Sequence, residues 1–146
     1  MNPDQALVRR FLAAPHEPLA LDSNPVARDL GTLLQRWDAA RQELTVGFQA
    51  REQHVQGNGA VHGGIVSTML DFALVLPALG LLEPPRVAVT VALTLHFERA
   101  VRPGSLEAVA RIDRLGGRMV FASADLRLAG TGDVLARATG VLAIAG

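Results

Sequence analysis

The sequence contains no cysteine and no lysine among its 146 residues. Without cysteine there is no disulfide framework, no thiol nucleophile and no thiolate metal site, which suits the reducing cytoplasm, where we expect the protein. The 14 basic residues are all arginines, and they balance 14 acidic residues. A net charge of zero gives no reason to expect a nucleic-acid partner, so any phosphate recognition must come from local arginines.

The motifs of several enzyme classes are also missing. Gly57-Asn58-Gly59 begins like a dinucleotide-binding loop, but His62 stands where the third glycine is required and no parallel βαβ unit follows. There is no nucleophile elbow, phosphate-binding P-loop or zinc-binding helix motif. The histidines have no metal-ligand spacing; they are His16, His54, His62 and His96. We therefore expect neither a metal nor a cofactor.

The length and the 49% hydrophobic content predict one ordinary folded domain. The longest apolar run, residues 63–82, is long enough to cross a bilayer. Asp71 lies near its middle and no basic residue flanks it, so a buried central helix explains it better and no membrane partner is expected.

The chain divides into an N-terminal extension, residues 1–24, and a domain over residues 25–146. The extension comprises a short amphipathic helix within residues 1–14 and the start of a proline-rich loop over residues 15–25. Asn24-Pro25 can begin a brief second helix that ends near Leu30.

Hydrophobic periodicity predicts the remaining elements. Strands are expected at residues 32–39 and 43–50, then a helix at 63–82 ended by Gly80 and Pro84-Pro85. Continuous alternation over 87–97 puts the odd-numbered residues on one face, and strands within 106–112, 120–128 and 134–144 follow, with tight turns at Gly116-Gly117 and 130–133. The last four strands would form a meander. An α+β fold, with an antiparallel sheet around one long helix, accounts for this order.

Asp71 is the only charged residue between Glu52 and Glu83. A carboxylate on an apolar helix is costly, and such groups cluster at functional sites. Ser67 and Thr68 lie on the same stripe of the helix, where helix back-bonding is their expected role. The alternative is a structural carboxylate that is hydrogen-bonded to Thr68 or to a backbone turn.

His62-Gly63-Gly64 stands where the loop becomes the long helix. The first N–H groups of a helix are unpaired and carry partial positive charge, and glycine lets a ligand approach them. The Gly63 N–H is therefore a candidate cradle for a carbonyl or an oxyanion. The alternative is an ordinary glycine-rich turn in which His62 caps the helix.

Residues 56–64 read Gln-Gly-Asn-Gly-Ala-Val-His-Gly-Gly, and Asp71 follows His62 by nine positions (71 − 62 = 9). This spacing resembles the hotdog-fold acyl-CoA thioesterases of the PaaI and 4-hydroxybenzoyl-CoA thioesterase type, over about residues 25–145. The resemblance implies a hotdog fold and hydrolysis of an aryl-, arylacetyl- or medium-chain acyl-CoA to the free acid and coenzyme A.

The resemblance also implies roles for individual residues. Asp71 would be the nucleophile or the general base, and the Gly63 N–H would polarise the thioester carbonyl. Gln56 would orient the thioester or the water, and Thr90 would assist the water. Val75 stands where the benzoyl-CoA branch has threonine, which favours the PaaI branch.

The coenzyme A part of the substrate would be held near the surface. Candidate phosphate contacts are Arg99, Arg102 and Arg118, with Arg118 preferred because it adjoins the free amides at Gly117. The other expected substrate contacts are His62, Gly64, Asn58 and Val75.

In similar proteins the site forms between two subunits, with the carboxylate's helix from one chain and the water-assisting strand from the other. A homodimer, or a homotetramer built from two dimers, is implied. One alternative function is a non-catalytic acyl-CoA-binding hotdog module. A hotdog dehydratase is less favoured, because His96 is the only histidine that could pair with Asp71.

Overall fold

A computed structural model describes all 146 residues. The helices are α1 (Pro3–Ala13), α2 (Pro25–Asp29) and α3 (Gly63–Leu81), with a 3₁₀ turn at Glu52–His54. The strands are β1 (Leu19–Ala20), β2 (Leu33–Asp38), β3 (Glu43–Ala50), β4 (Val87–Phe97), β5 (Gly104–Leu115), β6 (Met119–Leu128) and β7 (Val134–Ala145). Only β1 falls where the sequence predicted a loop.

The strands form one antiparallel sheet in the order β1-β2-β3-β5-β6-β7-β4. Helix α3 packs across it against β3, β4, β5, β6 and β7. The predicted α+β hotdog architecture, a sheet around one long helix, is therefore confirmed. The predicted four-strand meander is wrong in one respect, because β4 pairs with β7 and forms an edge of the sheet.

Alternating residues of the strands bury one face of the sheet against α3. Leu44 and Val46 of β3 and Ala108 and Ala110 of β5 are fully buried, as the period-two pattern predicted. The facing side of α3 is equally buried, with Met69, Leu70, Ala73 and Leu74 at 0% exposure. Helix α3 has the length and apolar composition of a membrane span. This packing accounts for that composition, as in the core helix of a globular domain.

Helix α1 packs on the C-terminal half of α3. Its Gln5 side chain is fully buried and donates to the Leu79 and Leu82 carbonyls at 3.2 and 3.1 Å, and so occupies carbonyls that the end of α3 leaves unpaired. Gly80 lies inside α3 rather than ending it. A Cβ built there would lie 2.4 Å from Leu12 Cδ1, so glycine is what lets α1 approach. The N-terminal helix is thus part of the folded core.

Candidate active site

The N-terminus of α3 is shaped by His62. Its backbone has φ −57° and ψ 135°, and its Nδ1 accepts the Gly64 N–H at 2.8 Å. Its carbonyl oxygen accepts the N–H groups of Ile65 and Val66 at 2.9 and 3.1 Å. The Gly63 N–H, between these bonds, has no acceptor within the protein. His62 therefore caps the helix and leaves one polarised N–H pointing away from it.

The loop before α3 is closed by its own backbone bonds. Val55 pairs with Val61, and the Gln56 N–H donates to the Ala60 carbonyl at 2.8 Å. The side-chain oxygen of Gln56 accepts the Asn58 N–H, which leaves the Gln56 side-chain NH₂ without a protein acceptor. The side-chain oxygen of Gln56 thus stabilises the turn of the loop, and its NH₂ group is available to donate to a substrate.

A cavity of about 350 Å³ opens beside Gly63. The Phe97 ring forms one side, and a Cβ built on Gly63 would lie 3.5 Å from its Cζ atom. Val66 and Val101 add apolar wall, while Gln56 and Arg99 add polar groups. Arg102 lies next to this region and donates from NH1 to the Gly59 carbonyl at 3.0 Å. A carbonyl group, an apolar chain and an anion could all bind at this end of α3.

Asp71 lies half-buried in the middle of α3 and accepts a hydrogen bond from Thr90 of β4. The distance from Thr90 Oγ1 to Asp71 Oδ1 is 2.6 Å. Thr68 does not bond Asp71, because its hydroxyl donates to the Gly64 carbonyl, and Ser67 likewise donates to Gly63. The alternative of a structural Asp71–Thr68 bond is therefore wrong, and the expected back-bonding role of Ser67 and Thr68 is confirmed.

A β-bulge brings Thr90 to this position. The pairing of β4 with β7 shifts between Thr90 and Ala92, so Val91 is an extra residue. Thr90 pairs with Leu142, and Leu95 pairs with Ala138, two residues of β7 that are buried beneath α3. The prediction of one continuous alternation was wrong, because the bulge reverses the phase within the strand. Val89 and Val91, predicted to share a face with Leu95, are more than half exposed.

The structure divides the predicted site residues into separate groups. Gly63 and Asp71 are eight residues apart on one helix (71 − 63 = 8), which is about 12 Å at the α-helical rise. One backbone N–H and one carboxylate at that distance do not reach the same carbonyl group. Gln56, Arg99 and Arg102 belong to the Gly63 end.

The β5–β6 turn lies far from this end. The Arg118 carbonyl accepts the Ile144 N–H, near where Val87 at the start of β4 pairs with Ala145. Gly117 and Arg118 are therefore at the opposite end of β4 from Phe97. Within one chain, the preferred phosphate contact is not beside the Gly63 cavity.

The other predicted residues have simpler positions. Val75 lies one turn beyond Asp71 and is half-buried. His96 pairs with Arg137 on the side of β4 away from α3, so it does not meet Asp71. The implied division between a carboxylate helix and a water-assisting strand of different chains is wrong for Thr90, because Thr90 bonds Asp71 within one chain.

Sequence reasoning missed a polar pair beneath the loop. His54 is buried, with 3% of its side chain exposed, and its Nε2 lies 2.8 Å from Oδ2 of Asp29 at the end of α2. The hydrogen bond from His54 lowers the pKa of the Asp29 carboxyl, against the opposing effect of desolvation. The residues are 25 apart in sequence, and no spacing motif joins them.

Comparisons with known proteins identify the family of this chain. The family described as the thioesterase superfamily matches residues 58–135, from the loop through α3 to the start of β7. PA0474 of Pseudomonas aeruginosa, named as a candidate esterase, is 43% identical over 105 residues, which cover 71% of this chain and 78% of the relative.

Solved structures match the fold. A phenylacetic acid degradation-related protein of Ralstonia eutropha JMP134, named as a candidate thioesterase, has a TM-score of 0.80 and 25% identity. The match covers 94% of this chain and 98% of that one. Thioesterase HI1161 of Haemophilus influenzae has a TM-score of 0.78, 20% identity and 86% coverage of both chains.

A sheet around one long helix, with a free N–H at the helix start and a carboxylate two turns further on, defines a hotdog-fold protein with a candidate hydrolytic site. The chain belongs to the thioesterase superfamily.

Proposed function

We propose that this protein is an acyl-CoA thioesterase. The observation that carries the proposal is that one helix holds both groups that the reaction needs. The Gly63 N–H has no acceptor within the protein, and the Asp71 carboxylate is oriented by a hydrogen bond from Thr90. Water adds to the thioester carbonyl carbon, the C–S bond breaks, and the free acid and the coenzyme A thiol leave.

The Gly63 N–H stabilises the oxygen that becomes negative as the carbonyl carbon turns tetrahedral. Its position at the start of a 19-residue helix adds the field of the helix dipole. Asp71 acts in one of two ways: it removes the proton from the water that attacks the thioester, or it attacks the carbonyl carbon itself and expels the coenzyme A thiolate. The second route forms a mixed anhydride between Asp71 and the acyl group, and water then hydrolyses it to the free acid. In both routes Thr90 occupies Oδ1 and fixes the carboxylate, so that Oδ2 is the reacting oxygen.

Because Gly63 and Asp71 are about 12 Å apart along α3, we propose that a second copy of the chain completes the site. Two antiparallel α3 helices would bring Gly63 of one copy opposite Asp71 of the other. The surface for this is available, since Ile65, Phe72 and Val75 are half-exposed apolar residues on α3. The edge strand β4 also exposes Val89 and Val91. We propose a homodimer as the minimal active unit and a homotetramer as the pairing of two such dimers.

A complementation experiment tests this arrangement. Gly63→Pro removes the N–H with little disturbance, because proline is tolerated at the first helical position and His62 already has the ψ of 135° that proline favours before it. Gly63→Pro and Asp71→Ala should each be inactive alone. A mixed dimer of the two contains one site with both changes and one site with neither, so co-expression should restore activity. No recovery in purified mixed dimers would reject the two-chain site.

For the substrate, we propose an aryl- or arylacetyl-CoA ahead of a medium-chain acyl-CoA. Support comes from the apolar cavity walls Phe97, Val66 and Val101 and from the phenylacetic acid degradation-related name of the Ralstonia eutropha relative. Arg99 and Arg102 are the candidate phosphate contacts beside Gly63 in the same chain. Arg118 lies near the opposite end of β4, so it could contact the same phosphates only from a neighbouring copy of the chain. With a coenzyme A ester as the proposed substrate, we also propose a cytoplasmic location.

A panel of benzoyl-, phenylacetyl- and straight-chain acyl-CoA esters tests the activity, with release of the free thiol as the measurement. Thiol release that is lost in Asp71→Ala supports the proposal. Tight binding of the same esters by calorimetry without thiol release would favour the non-catalytic acyl-CoA-binding module instead.

A further inference from the structure

The buried His54 side chain lies outside the cavity, yet it is bonded on both ring nitrogens. Nδ1 accepts the Arg51 N–H at 2.9 Å, and Nε2 lies 2.8 Å from Asp29 Oδ2. A backbone amide can only donate, so Nδ1 carries no proton and Nε2 carries the ring's one N–H. The pair is therefore a neutral imidazole that donates to an ionised carboxylate, with a defined tautomer.

The two bonds of the buried His54 ring fix the start of the loop to helix α2, whereas the bonds to Asp29 Oδ1 lie at the exposed surface. Asp29 also accepts from Arg51 at 2.9 Å and from Gln53 at 2.8 Å, both through Oδ1. The His54–Arg51 bond closes the 3₁₀ turn in the way that a Glu or Gln at the third position closes a helical capping box. Burial of the imidazole leaves it no alternative partner in water, so the turn has one strongly preferred geometry.

The same residue connects directly to the helix N-terminus. The His54 carbonyl accepts the His62 N–H at 2.8 Å. His62 in turn holds Gly64 through its Nδ1 and the next turn of α3 through its carbonyl. Gly63 thus lies between His62, which is bonded to the His54 carbonyl, and Gly64, which is bonded to His62.

We propose that His54 and Asp29 are positioning residues that hold the Gly63 N–H in its reactive orientation. The proposal rests on the proposed role of that N–H in thioester hydrolysis. Neither side chain touches substrate. Their effect is to keep the loop and the start of α3 in one arrangement before the substrate arrives, which lowers the cost of stabilising the oxyanion.

Single variants test the kinetic part. His54→Ala and Asp29→Ala should lower kcat about 10- to 100-fold, the usual range for residues that orient a reacting group. KM should change much less, because an oxyanion contact strengthens in the transition state. His54→Gln, which keeps a donor toward Asp29, should recover part of kcat. The double variant should be no worse than either single variant, since the two residues act as one unit.

Two matched controls separate positioning from general stability. Gln53→Ala removes a different donor from the same Asp29 carboxylate and should leave kcat unchanged. Gln5→Ala removes a buried polar side chain at the opposite end of α3, and it should lower Tm while kcat stays at the native level. His54→Ala that lowers Tm like Gln5→Ala but keeps native kcat would overturn the proposal.

The amide resonances of Gly63 and Gly64 give a measurement that does not depend on activity. In ¹⁵N–¹H spectra both should shift or broaden in His54→Ala and in Asp29→Ala, and stay in place in Gln53→Ala. Unchanged Gly63 and Gly64 resonances in His54→Ala would overturn the positioning role whatever the enzyme hydrolyses. Shifted resonances in a protein that releases no thiol would instead keep the link between His54 and Gly63 and reject the proposed function.

Discussion

Thr90 donates a 2.6 Å hydrogen bond to Asp71, and the bulge at Val91 puts the Thr90 hydroxyl on the helix side of the sheet. Without the extra residue, either Thr90 or the apolar residues Leu93 and Leu95 would face away from α3. The bulge lets one strand supply both core side chains and a polar partner for the carboxylate, in agreement with the frequent occurrence of bulges beside active sites.

Asp71→Asn should lower kcat for acyl-CoA hydrolysis about 10²- to 10⁴-fold, the range for loss of a general base. The amide oxygen of asparagine can still accept the Thr90 hydroxyl, so the fold should persist. Tm should move by less than about 4 °C, which corresponds to about 1 kcal/mol in a chain of this size. Thiol release and thermal unfolding measure the two effects. Native kcat in this variant would remove Asp71 from the chemistry.

Thr90→Val keeps the shape of the side chain and removes only the hydroxyl. A hydrogen bond to a charged group contributes about 1.5–3 kcal/mol, so kcat should fall about 10- to 100-fold. Thr90→Ser retains the hydroxyl and should stay close to the native rate. A native kcat in Thr90→Val would mean that the hydrogen bond to Asp71 does not contribute to the rate.

Gly80→Ala should destabilise the docking of α1. The new Cβ would lie 2.4 Å from Leu12 Cδ1 and 2.8 Å from Cγ1 of Val8, which is fully buried. Overpacking of about 1–3 kcal/mol outweighs the gain of about 1 kcal/mol in helix propensity. Urea unfolding should show the net loss. Gly57→Ala, where a Cβ meets nothing within 4 Å, is the control. A Gly80→Ala protein more stable than native would contradict the close packing of α1.

The Asp29 carboxyl predicts a pH effect on stability. Its pKa is held below the ordinary value of 3.8, chiefly by the hydrogen bond from His54. A lowered pKa in the folded state stabilises the protein above the unfolded value, and this contribution disappears as pH falls through the folded value. The stability difference between native protein and Asp29→Asn should therefore be full at neutral pH and shrink below about pH 4. Urea unfolding over this range measures it, and a constant difference would contradict the prediction.

Arg99 borders the Gly63 cavity and is a candidate for contact with coenzyme A phosphates. Arg99→Ala should raise KM for an acyl-CoA and leave KM for the matching acyl-pantetheine thioester unchanged, because only the former carries the nucleotide phosphates. The effect on acyl-CoA should weaken as salt rises. Equal effects on both substrates would exclude a phosphate contact, and Arg118→Ala in the same assay tests the other candidate.

The sequence by itself determined the long apolar helix, the strands with their buried alternate residues, and the spacing of Gly63 and Asp71. Helical and strand periodicity and the unpaired N–H groups at a helix start are local properties, so a single sequence reveals them. The capping role of His62, which the sequence offered as an alternative, is confirmed, and it is a local feature because the capping bond reaches only to Gly64.

Only the tertiary structure decided the rest. The position of β4 beyond β7, the phase reversal at Val91, the bond between Thr90 and Asp71, and the Asp29–His54 pair all join residues that are distant in sequence. Each depends on which strand pairs with which and in what register. The register is chosen by the packing of the whole sheet against α3, a non-local contribution that outweighs the local alternation within any one strand.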